Sequence, residues 1–113
     1  MMRGNLRRAL AFIGRHFTEP IGRTEVARVA GFAPRHFARL FKRRESTTFE
    51  AYVRKLRVER AKQLLDRTDL SVDRVAQLSG FILRPHFHRV FRQIVGTTPA
   101  EFRSSHRRKA RYV

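Results

Sequence analysis

Between positions 48 and 66 the chain reads TFEAYVRKLRVERAKQLLD. Phe49, Tyr52, Val53, Leu56, Ala61, Leu64 and Leu65 recur there at spacings of three and four, while Glu50, Arg54, Lys55, Glu59 and Lys62 fill the other face. That pattern predicts one long amphipathic helix, with Thr48 suited to its N-cap. The same reading places a helix over 5–17, where Leu6, Leu10, Ile13 and Phe17 share a face with Phe12 beside them, ending before Pro20. Shorter helices are predicted at 23–30, 34–44, 72–79, 85–94 and from Thr98-Pro99 to His106.

The long segment lies between two copies of one sequence. VARVAGFAPRHFARLF at 26–41 and VAQLSGFILRPHFHRVF at 75–91 share VA, GF, HF, R and F at an offset of 49, which becomes 50 after the GF because the second copy holds one extra residue. The repeat continues from Ser46-Thr47-Thr48-Phe49 and Tyr52 to Gly96-Thr97-Thr98-Pro99 and Phe102. Solenoids need three or more such units to close a continuous core, so two copies around a shared rod indicate a pair of matched binding units.

Each copy is a short helix, a glycine turn and a second helix. Gly31 and Gly80 suit the left-handed turn, Phe32 and Phe81 plug the core behind it, and Pro34 stands at a first helical position. Gly22 and Ser71 fall at matching N-caps, of which Ser71 is the better. In the second helices Phe37, Leu40 and Phe41, and Phe87, Val90, Phe91 and Ile94, are expected to face inward. The outward or flanking positions are Arg35, His36, Ala38, Arg39, Lys42 and Arg43 in one, and His86, His88, Arg89 and Arg92 in the other.

Charge sets the kind of partner. Across 113 residues, 26 Lys and Arg against 9 Asp and Glu give +17, spread over every segment, which implies a polyanion. Hydrophobic residues at 42% suffice for a core, and with no cysteine there are no disulfides and no thiolate-bound metals. The N-terminal stretch lacks an apolar run long enough for a signal or a spanning helix, so a cytosolic protein is expected. His86 and His88, two apart, point different ways on a helix; no metal site, cofactor loop or catalytic grouping stands out, and an enzyme is not expected.

A short helix, a tight turn and a second helix with a basic outer face is the helix-turn-helix arrangement, whose second helix enters the major groove of duplex DNA. The rod between the two copies would be roughly 25 to 28 Å long, close to the roughly 34 Å of one duplex turn. Two alternatives stay open: a basic nucleic-acid-binding protein that reads charge and shape but not sequence, and an interaction module that docks an acidic protein or a membrane.

From Leu6 to Arg103 the chain resembles the AraC/XylS-type bacterial transcription regulators. The C-terminal signature is matched at Gly80-Phe81, at Phe87-His88-Arg89-Val90-Phe91, at Gly96-Thr97-Thr98-Pro99 and at Arg103. The first half is matched at Gly31-Phe32, His36-Phe37, Arg39-Leu40-Phe41, Tyr52, Arg57 and Ala61. The resemblance implies an all-α, seven-helix DNA-binding domain over 1–113, with helix-turn-helix lobes at 5–47 and 67–106, a linker helix at 48–66 and a basic tail at 107–113. It further implies a monomer on an asymmetric double-stranded DNA site in the bacterial cytoplasm or nucleoid, regulating transcription, more often as an activator, with RNA polymerase as a further partner and no cofactor. With no room for an effector-binding domain, the chain is either a stand-alone regulator or the DNA-binding piece of a longer one.

On that reading, base contacts fall to Arg35, His36, Ala38 and Arg39, and to Arg84, His86, His88 and Arg89. Arginine suits guanine O6 and N7, and Ala38 a thymine methyl. Lys42, Arg43 and Arg92 would meet the DNA backbone, as would the helix starts at Thr48 and Thr98, where plain capping is an equal alternative. Arg39 and Arg89 have the alternative of pairing with a carboxylate, and Arg57 and Arg103 that of tying the lobes together. Three departures from the family pattern carry expectations. Ala33 and Ile82 leave both reading helices without a polar cap, Ser46 stands where a glycine is usual, and Pro85, which disfavours helical geometry at Arg84, is expected to start the last reading helix late and shorten it.

Overall fold

Asn5 opens the first helix by turning its carboxamide oxygen onto the Arg7 N–H, 2.8 Å away, which satisfies one of the donors a helix start leaves without a partner. The computed structural model describes residues 4–111, with side chains through Arg107. Among these the elements are α1 (Leu6–His16), α2 (Arg23–Ala30), α3 (Pro34–Glu45), α4 (Phe49–Arg67), α5 (Val72–Leu78), α6 (Arg84–Val95) and α7 (Pro99–Arg111). The described chain is therefore all-α with seven helices, as expected. It divides into two compact units between Arg54 and Lys55, inside α4.

In the first unit α1 packs on α2 and α2 on α3. Ala9, Ile13, Val26, Ala27, Ala30, Phe37, Phe41, Phe49 and Val53 are buried. Phe49 brings its ring edge to Phe37 and Phe41, at centroid separations of 5.9 and 6.1 Å, and Tyr52 meets Phe41 at 5.3 Å. The turn into α3 is closed by backbone alone. Gly31 is left-handed with φ 82°, and the Gly31 and Phe32 N–H groups donate to the carbonyls of Arg28 and Ala27, the bonding that ends many helices at glycine. The chain ahead of α1 covers this turn: Asn5 N–H donates to the Ala30 carbonyl at 2.8 Å, and a Cβ on Gly4 would overlap the Phe32 ring. Nothing in the periodicity pointed to Gly4.

In the second unit α5 packs on α6 and α6 on α7. Val58, Ala61 and Leu65 of α4 join Val75, Ala76, Phe81, Phe87, Val90 and Phe91 in one buried cluster, with Leu64, Leu70 and Phe102 at its margin. The repeated residues make repeated contacts: Phe91 meets Phe102 at 5.8 Å as Phe41 meets Tyr52, and Pro99 is buried where Phe49 is. Gly80, with φ 101°, and Phe81 donate to Gln77 and Ala76 as their counterparts do in the first unit. Arg103 ties α7 to the end of α4, donating from Nε to the Leu65 carbonyl at 3.1 Å and from Nη2 to that of Thr68 at 3.3 Å.

Five expectations need correction. The long helix does not bury one continuous stripe: Val58, absent from the expected apolar set, is fully buried. At about 100° per residue it lies half a turn out of phase with Phe49, so no single apolar stripe along α4 includes both. Pro85 does not delay α6. The helix starts at Arg84, with Pro85 in its first turn, and runs 12 residues, as α3 does; in the first turn a missing N–H costs no internal bond, and that outweighs the restriction on Arg84. The N-cap of α6 is Leu83 rather than Ile82, again without a side-chain hydrogen bond, as at Ala33. Ile94 is 45% exposed instead of inward, and Val95 packs on the core in its place. Finally, α7 continues past His106 to Arg111, so the start of the basic tail is helical; the side chains beyond Arg107 lie outside the described residues.

Candidate nucleic-acid interface

Phe37 and Phe41, one turn apart, fix α3 by its buried side and so decide which side faces out. Arg35, His36, Arg39, Lys42 and Arg43 are exposed and Ala38 is half-buried. Among the described residues none of Arg35, Arg39, Lys42 and Arg43 makes an ion pair, so their charge is unspent within the chain. Among the described residues neither Arg39 nor Arg89 makes an ion pair with a carboxylate. His36 stands with its ring edge toward Phe32 at 5.5 Å, which orients it from the core side.

On α6, Phe87 and Phe91 play the same part. Arg84, Arg89 and Arg92 are exposed, while His86 and His88 are half-buried. His86 repeats the placement of His36, edge-on to Phe81 at 5.8 Å. His88 packs edge-on to Phe87 at 5.6 Å, and its Nε2 is buried with no protein partner. Arg84 reaches back to α5, with Nε 3.2 Å from Asp73 Oδ1. Both groups are exposed, and such surface pairs are weak, so the guanidinium is oriented rather than locked.

Thr48 and Thr98 occupy equivalent places. Each hydroxyl oxygen accepts a backbone N–H at 3.1 Å, from Ala51 and from Glu101, so both side chains act as caps. Arg57 is partly buried in α4, and its pKa is lowered by that burial. Burial also lowers the pKa of Arg103, helped by neighbouring Arg107 and opposed by Asp69. Arg107 docks too, its Nη2 lying 2.7 Å from both the Thr68 carbonyl and Asp69 Oδ1. Among the described residues no group of three or more His, Asp or Glu side chains could hold one metal ion, and no helix is long and apolar enough to cross a membrane.

Sequence reasoning named the cationic positions but missed what lies just ahead of α6. Ile82 is 83% and Leu83 64% exposed, the two most exposed large hydrophobic residues of the described chain. The signal available was the extra residue itself: an insertion next to a tight turn has no core position to fill.

Two helix-turn-helix units in one chain, each with a cationic outer face on its second helix, define a DNA-binding domain. A helix-turn-helix domain family matches residues 26–105, and the chain belongs to it, in the AraC-type branch. It is similar to the transcriptional regulator GlxA of Rhizobium meliloti, 37% identical over 84 residues, which are 74% of this chain and 26% of that protein. Among solved structures it is similar to the DNA-binding domain of AdpA, a global transcriptional factor, in complex with a target DNA. There the TM-score is 0.89 at 28% identity, covering 95% of this chain and 96% of that one. An AraC-type regulator from Chromobacterium violaceum gives a TM-score of 0.82 at 32% identity, covering 89% and 90%. The chain spans between a quarter and a third of the length of the first curated relatives it matches.

Proposed function

We propose that this chain binds double-stranded DNA sequence-specifically and regulates transcription, as an activator, with α3 and α6 entering successive major-groove segments of one asymmetric site. The observation that supports it most is the outer face of α3: four cations without an ion pair, held opposite the buried rings of Phe37 and Phe41. A cationic face on a rigid helix is what groove reading needs, because phosphate contacts position the protein and base-edge contacts specify the sequence.

In this reading Arg35, Arg39, Arg84 and His88 are the base-reading residues, with His36, Ala38, His86 and Arg89 beside them. Lys42, Arg43, Arg92 and the helix starts at Thr48 and Thr98 meet phosphates. The lobes are 5–47 and 67–106, the helix between them 48–66. The protein acts as a monomer in the bacterial cytoplasm, on the nucleoid, with RNA polymerase as its protein partner and no catalytic role. Selection of bound duplexes from a random pool, followed by competition with unrelated duplex at physiological salt, tests it. An enriched sequence whose complex resists the competitor is the expected result. A pool that stays random, with binding that collapses as salt rises, would instead favour a basic protein that coats nucleic acid without reading it, the reading to which +17 alone would lead.

A further inference from the structure

The turn between α5 and α6 carries apolar surface where a DNA-binding domain usually presents polar groups. Ile82 is almost fully exposed, Leu83 largely so, and Leu78, one turn back on α5, is 39% exposed. The first unit matches Leu78 with Val29, 38% exposed, but has no counterpart of the Ile82-Leu83 pair, because its turn passes from Phe32 through Ala33 alone into Pro34. The extra residue of the second copy therefore adds side-chain reach immediately before the first helical residue, Arg84. Ile82 borders two hollows. One, of about 350 Å³, is walled by Gly80, Phe81 and Leu83 with Arg57 and His86 at its margin. The other, of about 190 Å³, is lined by Ala76, Gln77 and Phe81 with Asp73 and Arg84.

We infer that Ile82 and Leu83 read thymine 5-methyl groups in the major groove, making the second unit selective for T at one or two positions; this rests on the DNA-binding function proposed above. Three observations converge on it. The residues at the start of the second helix of a helix-turn-helix are those that reach base edges, and Ile82 and Leu83 directly precede that start. The thymine methyl is the one apolar group that a base pair presents in the major groove, and apolar side chains are its matching partners. The surround is also cationic: Arg89 on α6 is exposed, and Arg57 lines the larger hollow. Asp73, the carboxylate that lines the smaller hollow, has its charge offset by neighbouring Arg84, so a phosphate backbone can approach. An acidic protein with an apolar anchor would meet the same surround, but it would not need the patch to sit at the head of the reading helix.

The test uses the full chain and the duplex it selects from a random pool. Each thymidine is replaced in turn by deoxyuridine, which removes the methyl group and leaves every hydrogen bond in place. A lost methyl contact is expected to weaken binding about fourfold at one or two positions, all of them in the segment protected by the second unit. Ile82→Ser, made at a site too exposed to disturb folding, is expected to bind the thymidine duplex correspondingly more weakly and to show no further loss with deoxyuridine at the position that Ile82 reads. Circular dichroism checks that its helix content is unchanged. Insensitivity to deoxyuridine everywhere, or the same sensitivity in Ile82→Ser, overturns the inference and leaves the function standing. Ile82→Ser with unaltered DNA binding overturns it as well. Failure to enrich any duplex overturns both.

Discussion

Arg23 and Glu50 meet in a two-point ion pair across the first unit, with Nε 3.1 Å from Oε2 and Nη2 2.9 Å from Oε1. The pair joins the first turn of α2 to the first turn of α4, and the arginine hydrogen bonds hold the Glu50 carboxyl below its ordinary value of 4.5. A carboxyl whose pKa is depressed by folding stabilises the fold above that ordinary value and loses the contribution as pH falls through the folded one. Glu50→Gln should therefore lower the melting temperature slightly at pH 7, less in strong salt, and less again at an acid pH below the folded value, where the carboxyl has taken up its proton. An equal deficit at both pH values would show that the pair contributes nothing through charge.

The starts of α3, α4, α6 and α7 should respond in opposite directions. Thr48 and Thr98 cap α4 and α7, so Thr48→Ala and Thr98→Ala should each cost about 1 kcal/mol in urea unfolding. Ala33 and Leu83 stand at N-caps without a side-chain bond, and Ala33→Ser and Leu83→Ser should each return about 0.5 to 1 kcal/mol. Stabilities that fail to split this way would mean that tertiary packing, not local capping, sets where these helices begin.

Ser46 and Gly96 end α3 and α6 in the left-handed region, at φ 60° and 94°. Ser46 is the single non-glycine residue with positive φ among the described residues, and a side chain there costs roughly 1 to 2 kcal/mol. Ser46→Gly is expected to stabilise the protein by up to about 1 kcal/mol and Gly96→Ser to destabilise it by more. Since a Cβ on Gly96 meets nothing within 4 Å, a loss there would come from backbone conformation and not from a clash. Thermal melts of the two variants decide the matter.

Arg39→Ala should relax discrimination at one base position by about 1 to 3 kcal/mol if its guanidinium makes a two-point contact to guanine. A uniform loss over all sequences would make it a phosphate clamp. Truncation before Arg108 keeps the Arg107 contacts to Thr68 and Asp69, and it should weaken binding to every sequence alike.

The sequence was most informative where the chain repeats itself. Phe37 and Phe41, Phe87 and Phe91, and the glycine-phenylalanine turns all sit where spacing put them, because burial of a ring at three-and-four spacing leaves a helix little choice. Val58 was missed because α4 serves two cores, and out-of-phase stripes cancel in any single-face count. Pro85 misled because a rule about one dihedral was given more weight than its position in the first turn. The pairing of Arg84 with Asp73 and the seat of Gly4 on Phe32 were hidden for another reason: contacts between separate elements leave no mark on local periodicity. Of the interface, the identity of the exposed cations was legible and the exposure of Ile82 was not.

The inserted residue falls in the loop ahead of α6, so the helix keeps the length of α3 and its buried phenylalanine pair one turn apart while its entry is rebuilt. A scaffold of this kind can trial new specificities by indels at one hinge of the backbone, leaving the aromatic keel beneath the reading helix untouched.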